Sequence, residues 1–216
     1  MAEFTIIIGN KNYSSWSLRG WLALRESGFA FNEVLFPLRE IDTRERILVH
    51  SPAGQVPVLE HGALRVWDSL AIGEYLAELA PHLLPADRAA RARCRSAVAE
   101  MHAGFAALRA HLPMNMRAHR PDRGVTPAVR HDIDRITALW RELRRAVGPD
   151  EGPLLFGRFS LADAAFAPVA SRFRTYGITL DPISEAYADA VLDLPSVREW
   201  AAAAALEPMV IPANEV

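Results

Sequence analysis

The chain has 216 residues, half of them hydrophobic and 23% charged, and its formal net charge is −2. This composition is ordinary for a globular protein, and the small net charge argues against bulk attraction to nucleic acid or to an anionic membrane. The one cysteine, Cys94, excludes an internal disulfide and fits a reducing compartment. Neither a membrane-spanning apolar run nor a secretory signal pattern is present, so we expect a cytoplasmic location.

The first 80 residues alternate short apolar runs with amphipathic stretches, which predicts an α/β domain. Strands are expected at 4–8, 31–36, 57–60 and 63–67, and helices at 15–27, at 43–50 and from 68 or 69 to 80. A crossover helix joins the first two strands, so these are expected to be parallel. The tight turn at His61-Gly62 predicts an antiparallel hairpin from the last two strands.

Residues 81–87 hold two prolines without any periodicity and are predicted to be a linker. No strand pattern follows, and residues 88–216 are therefore predicted to form an all-α domain. Its helices are expected at 88–112, 128–147, 161–176, 184–191 and 195–206. Ser160 and Asp163 have capping-box spacing, and the helix they begin is apolar on nearly every side, which predicts a central position for it.

The junction between the first strand and the first helix, residues 12–19, is rich in hydroxyl groups. These belong to Tyr13, Ser14, Ser15 and Ser17. Free backbone N–H groups and the positive end of the helix dipole meet at such a junction, which favours an anion such as a carboxylate, a phosphate or a thiolate. The alternative is that Ser14 or Ser15 only caps the helix.

Two later segments indicate binding of an extended ligand. Pro57 heads a strand, and a cis bond before it would leave the backbone N–H and C=O of Val56 free to pair with a peptide; the alternative is a plain edge-strand proline. At the next strand-to-helix junction, Ser69 and the nearby amides favour an anion while Asp68 accepts from an ammonium group, the alternative being an ordinary N-cap. Glutathione combines an amino-acid head, an extended peptide unit and an ionisable thiol.

Three motifs carry a resemblance to the cytosolic glutathione transferases over nearly the whole chain. They are Ser-Pro-Ala-Gly-Gln-Val-Pro-Val-Leu at 51–59, Trp-Asp-Ser-Leu-Ala-Ile at 67–72 and Phe-Ser-Leu-Ala-Asp at 159–163. The resemblance implies a thioredoxin-like domain at 1–80, an all-helical domain at 88–216, a homodimer, glutathione as co-substrate and a role in detoxification.

Ser-Ser-Trp-Ser-Leu-Arg at 14–19 is most similar to the zeta-class pattern Ser-Ser-Cys-Ser-Trp-Arg, with Trp16 in place of the class cysteine. This resemblance implies that the Ser14 hydroxyl donates to the glutathione sulfur and, with the helix dipole, lowers the pKa of the thiol. Ser15 and then Tyr13 are the alternative hydroxyls. The glutathione contacts that it implies are those of Gln55, Val56, Pro57, Asp68 and Ser69, although Asp68 is shorter than the family's usual Glu or Gln.

A second substrate is expected between the two domains, against the first long helix of the helical domain. The candidate residues are Met101, His102, Phe105, Arg109, Met114, Asn115 and Arg117. For most of them, a place in the core or on a solvated face is the alternative. The seven histidines show no paired ligand spacing, so no metal site is expected.

Three functions are consistent with these features. The first is transfer of glutathione to a small electrophile. The second is glutathione-dependent cis–trans isomerisation of a maleyl-type diacid, for which Arg109 and Arg117 are candidate carboxylate ligands. The third is a non-catalytic binding or regulatory protein on the same fold.

Overall fold

A four-stranded mixed sheet organises the first part of the chain. The computed structural model describes residues 3–148 and 151–215. The strands are β1 (Phe4–Ile8), β2 (Phe31–Leu35), β3 (Val58–His61) and β4 (Leu64–Val66), in the spatial order β2-β1-β3-β4. β1 is parallel to β2 and antiparallel to β3, and β3 pairs antiparallel with β4. The predicted parallel pair and the predicted hairpin are both confirmed.

Three helices accompany this sheet, namely α1 (Ser15–Ser27), α2 (Thr43–Leu48) and α3 (Ser69–Leu79). Ser14 caps α1 by accepting a hydrogen bond from the Ser17 amide, and Gly28 ends it with a φ of 83°, a left-handed conformation that glycine adopts without a steric penalty. α1 packs against α3 and also against a helix of the second part of the chain. The start of α1 therefore lies where the two parts meet.

The second part is entirely helical within the described residues, apart from isolated bridges near Phe156. Its helices are α4 (Arg88–Ala103), α5 (Ala106–His111), α6 (Pro127–Arg145), α7 (Leu161–Thr175), α8 (Pro182–Leu192) and α9 (Pro195–Leu206). Short 3₁₀ turns lie at Pro81–Leu83, inside the predicted linker, and at Pro212–Asn214. The α/β-plus-all-α fold class is confirmed.

The single helix predicted over 88–112 is wrong, because the chain leaves the helical conformation after Ala103. Phe105 has a φ of 61°, and a Cβ at Gly104 would lie 2.8 Å from the Glu100 carbonyl oxygen. The Arg109 side chain donates to the carbonyl oxygens of Met101, His102 and Gly104, which satisfies acceptors left free at the end of α4. The apolar periodicity continues across this break and conceals it.

α7 is the central helix, as predicted. Every residue from Leu161 to Thr175 except Arg174 is buried, and the helix packs against α1, α4 and α8. The capping box also forms, since the Asp163 carboxylate accepts from the Ser160 amide at 2.8 Å. Burial raises the pKa of Asp163 to about 6, although hydrogen bonds from Leu155 and Ser160 oppose that rise.

No helix of the described ranges is both long and apolar enough to cross a membrane.

Candidate active site

Ser14 lies at the N-terminus of α1 and is largely buried. Its Oγ accepts from the Ser17 amide at 3.3 Å and donates to the Ser17 Oγ at 2.8 Å, and the Ser17 Oγ also accepts from the Gly9 amide at 3.0 Å. Because a hydroxyl group rotates, the pair also forms with Ser17 as donor. That arrangement leaves the Ser14 proton free to bind an anion placed at the helix start.

Ser15 is in contact with a buried cation. Its Oγ lies 3.3 Å from Nη2 of Arg172, a residue of α7 that is itself buried. The other Arg172 nitrogens donate to the carbonyl oxygens of Leu112 at 2.7 Å and Pro168 at 3.1 Å. Burial lowers the pKa of Arg172 to about 10, so the guanidinium is charged at neutral pH.

The third candidate hydroxyl, that of Tyr13, already has partners. It donates to the Glu215 carboxylate at 2.5 Å and accepts from Nη2 of Arg117 at 3.0 Å. Its proton is thus committed to the C-terminal segment, whereas the proton of Ser14 has an alternative.

The segment predicted to pair with the peptide part of glutathione lies against α1. The Val56–Pro57 peptide bond is cis, and a Cβ on Gly20 of α1 would lie 2.9 Å from the Pro57 ring. Pro57 is buried, Val56 is half-buried and Gln55 is exposed. The cis-proline segment is therefore adjacent to the helix that Ser14 begins.

Asp68 and Ser69 begin α3. The Asp68 carboxylate accepts from the Leu70 amide at 2.9 Å, and its other oxygen lies 3.3 Å from Nε2 of His102. The His102 ring also makes an edge contact with the Trp16 ring, at a centroid distance of 5.1 Å. α4 thus reaches the site through His102, a residue that the sequence proposed only as a second-substrate contact.

Most of the other second-substrate candidates either pack in the core or make hydrogen bonds within the protein. Met101, Phe105 and Met114 are buried in the core. Asn115 accepts from Asn12 at 2.9 Å and donates to Glu215 at 3.0 Å. The remaining two, Arg109 and Arg117, donate to backbone carbonyl oxygens.

Three residues of the site region escaped the sequence analysis. Arg19 and Arg172 are buried at the junction of α1 with α7, and Glu207 accepts from the amides of Lys11 at 2.5 Å and Asn12 at 3.0 Å. For Arg172, the one signal in the sequence is that a charged residue occurs inside an otherwise apolar helix. No local pattern marks Glu207, because its partners lie near the other end of the chain.

Among the described residues, no group of three or more His, Cys, Asp or Glu side chains is arranged to hold a metal ion.

Comparison with protein families identifies the family to which this fold and site belong. The model of the glutathione S-transferase N-terminal domain matches residues 13–79, and that of the C-terminal domain matches residues 85–203. The chain therefore belongs to the glutathione S-transferase family. Comparison with curated proteins finds no significant match.

Solved structures share the fold over nearly the whole chain. A glutathione transferase homolog from Burkholderia, with bound glutathione, is 25% identical, with 94% of this chain and 98% of that one covered and a TM-score of 0.71. A bacterial maleyl pyruvate isomerase of the zeta class is 24% identical, with 96% and 100% covered and a TM-score of 0.72. A theta-class enzyme with bound glutathione from Xanthomonas axonopodis pv. citri is 22% identical, with 93% and 98% covered and a TM-score of 0.67. Because these relatives span several classes, membership of the zeta class stays a prediction.

Proposed function

We propose that this protein binds glutathione and conjugates its thiolate to a small electrophile, with the Ser14 hydroxyl stabilising the thiolate. The supporting observation is the position of Ser14, the N-cap of α1, in a chain of the glutathione S-transferase family. The thiol proton passes to solvent, the thiolate sulfur forms a bond to the electrophilic carbon, and a leaving group departs or a double bond takes up the electron pair.

Two effects at the helix start favour the thiolate. A hydrogen bond from Ser14 and the dipole of α1 together contribute on the order of 2–3 kcal/mol, which lowers a thiol pKa by roughly two units. Both the hydrogen bond and the dipole act at the junction between β1 and α1. The electrophile then approaches from the helical part, where the His102 ring contacts the Trp16 ring at a centroid distance of 5.1 Å.

The remaining parts of glutathione fit the neighbouring segments in this proposal. Val56 pairs with the cysteinyl backbone, Gln55 and Pro57 flank it, and Ser69 with Asp68 receives the γ-glutamyl head. The chain is proposed to act as a cytoplasmic homodimer, with no nucleic acid, membrane or metal partner.

The isomerase alternative has weaker support in the geometry. It needs cationic groups that are free to bind two carboxylates, and the sequence offered Arg109 and Arg117. Arg109 donates to three carbonyl oxygens at the end of α4, and Arg117 donates to carbonyl oxygens of the C-terminal segment and to the Tyr13 hydroxyl. Conjugation makes no such demand.

Calorimetric titration of the full chain with glutathione, followed by turnover assays, tests the proposal. We expect binding at submillimolar to millimolar concentration, conjugation of an activated aryl halide, and no isomerisation of a maleyl diacid. Absence of binding at millimolar glutathione would overturn both enzymatic functions. Binding without any conjugation or isomerisation would favour the non-catalytic alternative.

A further inference from the structure

The ammonium group of Lys11 is enclosed by two indole rings and a carboxylate. Lys11 is the one lysine of the chain, and its side chain is 11% exposed. Its Nζ lies 2.8 Å from Oε1 of Glu33. The centroids of the Trp200 and Trp21 rings lie 5.2 and 5.5 Å from the same nitrogen. An ammonium group over an aromatic ring is attracted by the ring, and more strongly where water is excluded.

The three residues of this Lys11 cage, Glu33, Trp21 and Trp200, also hold one another. Trp21 Nε1 donates to Oε2 of Glu33 at 2.8 Å, so both oxygens of that carboxylate have a partner. The two indole rings are buried and make an edge contact at a centroid distance of 5.3 Å. Trp200 Nε1 donates to the Lys11 carbonyl oxygen at 2.8 Å. Because α1, β2 and α9 each supply one of these residues, the cage fixes Lys11 relative to three elements.

Lys11 lies within the turn that ends at Ser14. The amides of Tyr13 and Ser14 donate to the Asn10 carbonyl oxygen at 3.2 and 2.8 Å, which closes the turn around Lys11. Asn12 and Tyr13 alone separate the caged residue from the N-cap of α1. A displacement of Lys11 would therefore move the Ser14 hydroxyl.

Filling the cage does not by itself require a charge. An apolar side chain would fill the space without the cost of removing an ammonium group and a carboxylate from water. What the ion pair adds is direction, because Nζ faces the Glu33 carboxylate and two aromatic rings at once. The cage thus fixes the position of Lys11 more narrowly than apolar packing would.

We propose that Lys11 is a positioning residue for Ser14. The caged ammonium group holds the turn so that the Ser14 hydroxyl lies where the glutathione sulfur binds, and Lys11 itself does not touch glutathione. This inference rests on the proposed function, in which Ser14 stabilises the thiolate. It makes the ionisation of the bound thiol dependent on a cation outside the binding site.

The pKa of the glutathione thiol in the binary complex tests this role, measured from the ultraviolet absorbance of the thiolate against pH. Lys11→Met should raise that pKa by about one unit, because the hydrogen bond from Ser14 is then misaligned. Lys11→Arg keeps the charge and should restore most of the wild-type value. Arg25→Met is the matched control, since it removes an exposed cation that also pairs between α1 and α9, and it should leave the pKa unchanged.

A direct effect of charge on the thiolate would also raise the pKa in Lys11→Met. Glu33→Gln separates the two explanations, because they predict opposite signs. Loss of the negative charge alone lowers the thiol pKa, whereas a loosened cage raises it. We expect a rise, and a fall or an unchanged pKa would overturn the positioning role.

The cage can also be observed without any substitution. Lysine labelled with ¹³C at Cε gives one signal in the full chain, because Lys11 is the one lysine. We expect the ring currents of Trp21 and Trp200 to displace this signal from its position in free lysine, both before and after glutathione binds. A signal at the free-lysine position would show that the ammonium group is not caged and would overturn the inference.

The possible failures are distinguishable. A wild-type chain that binds no glutathione would overturn the proposed function, and an unchanged thiol pKa in Ser14→Ala would overturn the choice of Ser14. A shifted pKa in Ser14→Ala together with an unchanged one in Lys11→Met would overturn the role of Lys11 alone. Glu33→Gln and the labelled wild type retain Lys11, so both measurements decide the matter even where Lys11→Met does not fold.

Discussion

Nη2 of Arg172 lies 3.3 Å from Oγ of Ser15, although 157 residues separate the two in the chain. The contact joins the central helix of the helical part to the first residue of α1. Ser14, the N-cap of that helix, immediately precedes Ser15 in the chain. A thiolate bound at Ser14 would lie in the field of this buried guanidinium as well as in that of the helix dipole.

Replacement of Arg172 by Met should raise the pKa of the bound glutathione thiol. The side chain stays charged until the pH approaches about 10, so its removal takes a positive charge from beside the thiolate. We expect the acid limb of the pH profile of kcat/KM to move up by about one unit. Arg172→Lys should move it less. A profile that stays in place while stability falls would show that Arg172 only holds the carbonyl oxygens of Leu112 and Pro168.

Removal of the Ser14 hydroxyl should cost more activity than removal of either neighbouring hydroxyl. For Ser14→Ala we expect kcat/KM at neutral pH to fall about 10- to 100-fold and to recover as the pH rises, because the lost hydrogen bond raises the thiol pKa. Ser15→Ala should have a smaller effect, and Tyr13→Phe little, since the Tyr13 proton is donated to Glu215. A larger loss in Ser15→Ala than in Ser14→Ala would reverse the assignment.

Asp163 should make the stability of the wild type pH-dependent in a way that Asp163→Asn does not. Its folded pKa of about 6 exceeds the ordinary 3.8, so the folded state holds this proton more tightly than the unfolded state. Stability therefore falls as the pH rises through this window, and the whole cost, about 3 kcal/mol, is present above it. Urea unfolding of both proteins at about pH 4 and about pH 7 measures the difference. A difference that is the same at both pH values would contradict the shift.

Loss of the Glu207 carboxylate should disturb the loop before Ser14. It accepts from two backbone amides, those of Lys11 and Asn12, and hydrogen bonds to charged groups contribute about 1.5–3 kcal/mol. Glu207→Ala should lower the free energy of unfolding by about that amount and reduce kcat/KM for conjugation. Glu199→Ala, which removes an exposed pair with Arg25, is the control and should cost about 1 kcal/mol at most. Similar losses in the two variants would show that Glu207 has no special role.

Local patterns were sufficient for most of the fold. The strands and α1 follow from apolar periodicity, and Gly28 and the Ser160–Asp163 pair mark helix ends by their own chemistry. The break at Gly104 was missed because Phe105 and Leu108 stay buried on the same face of the pattern. Periodicity records which side of the chain is buried, and it does not record whether the backbone between two buried residues stays helical.

The residues of the candidate site also fall into those that a local pattern marks and those that it does not. Ser14, Pro57 and Ser69 belong to short motifs and were named from the sequence. Arg19 and Arg172 depend on which helices pack together, and a charged residue in an apolar helix has no visible partner until that packing is known. Such residues can be identified as part of the site only from the tertiary structure.

The bond between Glu207 and the loop at Lys11 and Asn12 also has a consequence for how the protein is made. On the ribosome, a chain that has emerged only as far as α9 contains all the strands and α-helices of the described ranges, but its loop amides still lack their acceptor. The Asn12 amide is made 195 residues before the carboxylate that accepts its hydrogen bond. Proteolytic cleavage just after α9 would therefore first disturb the loop at Lys11 and Asn12, which leads to the start of α1.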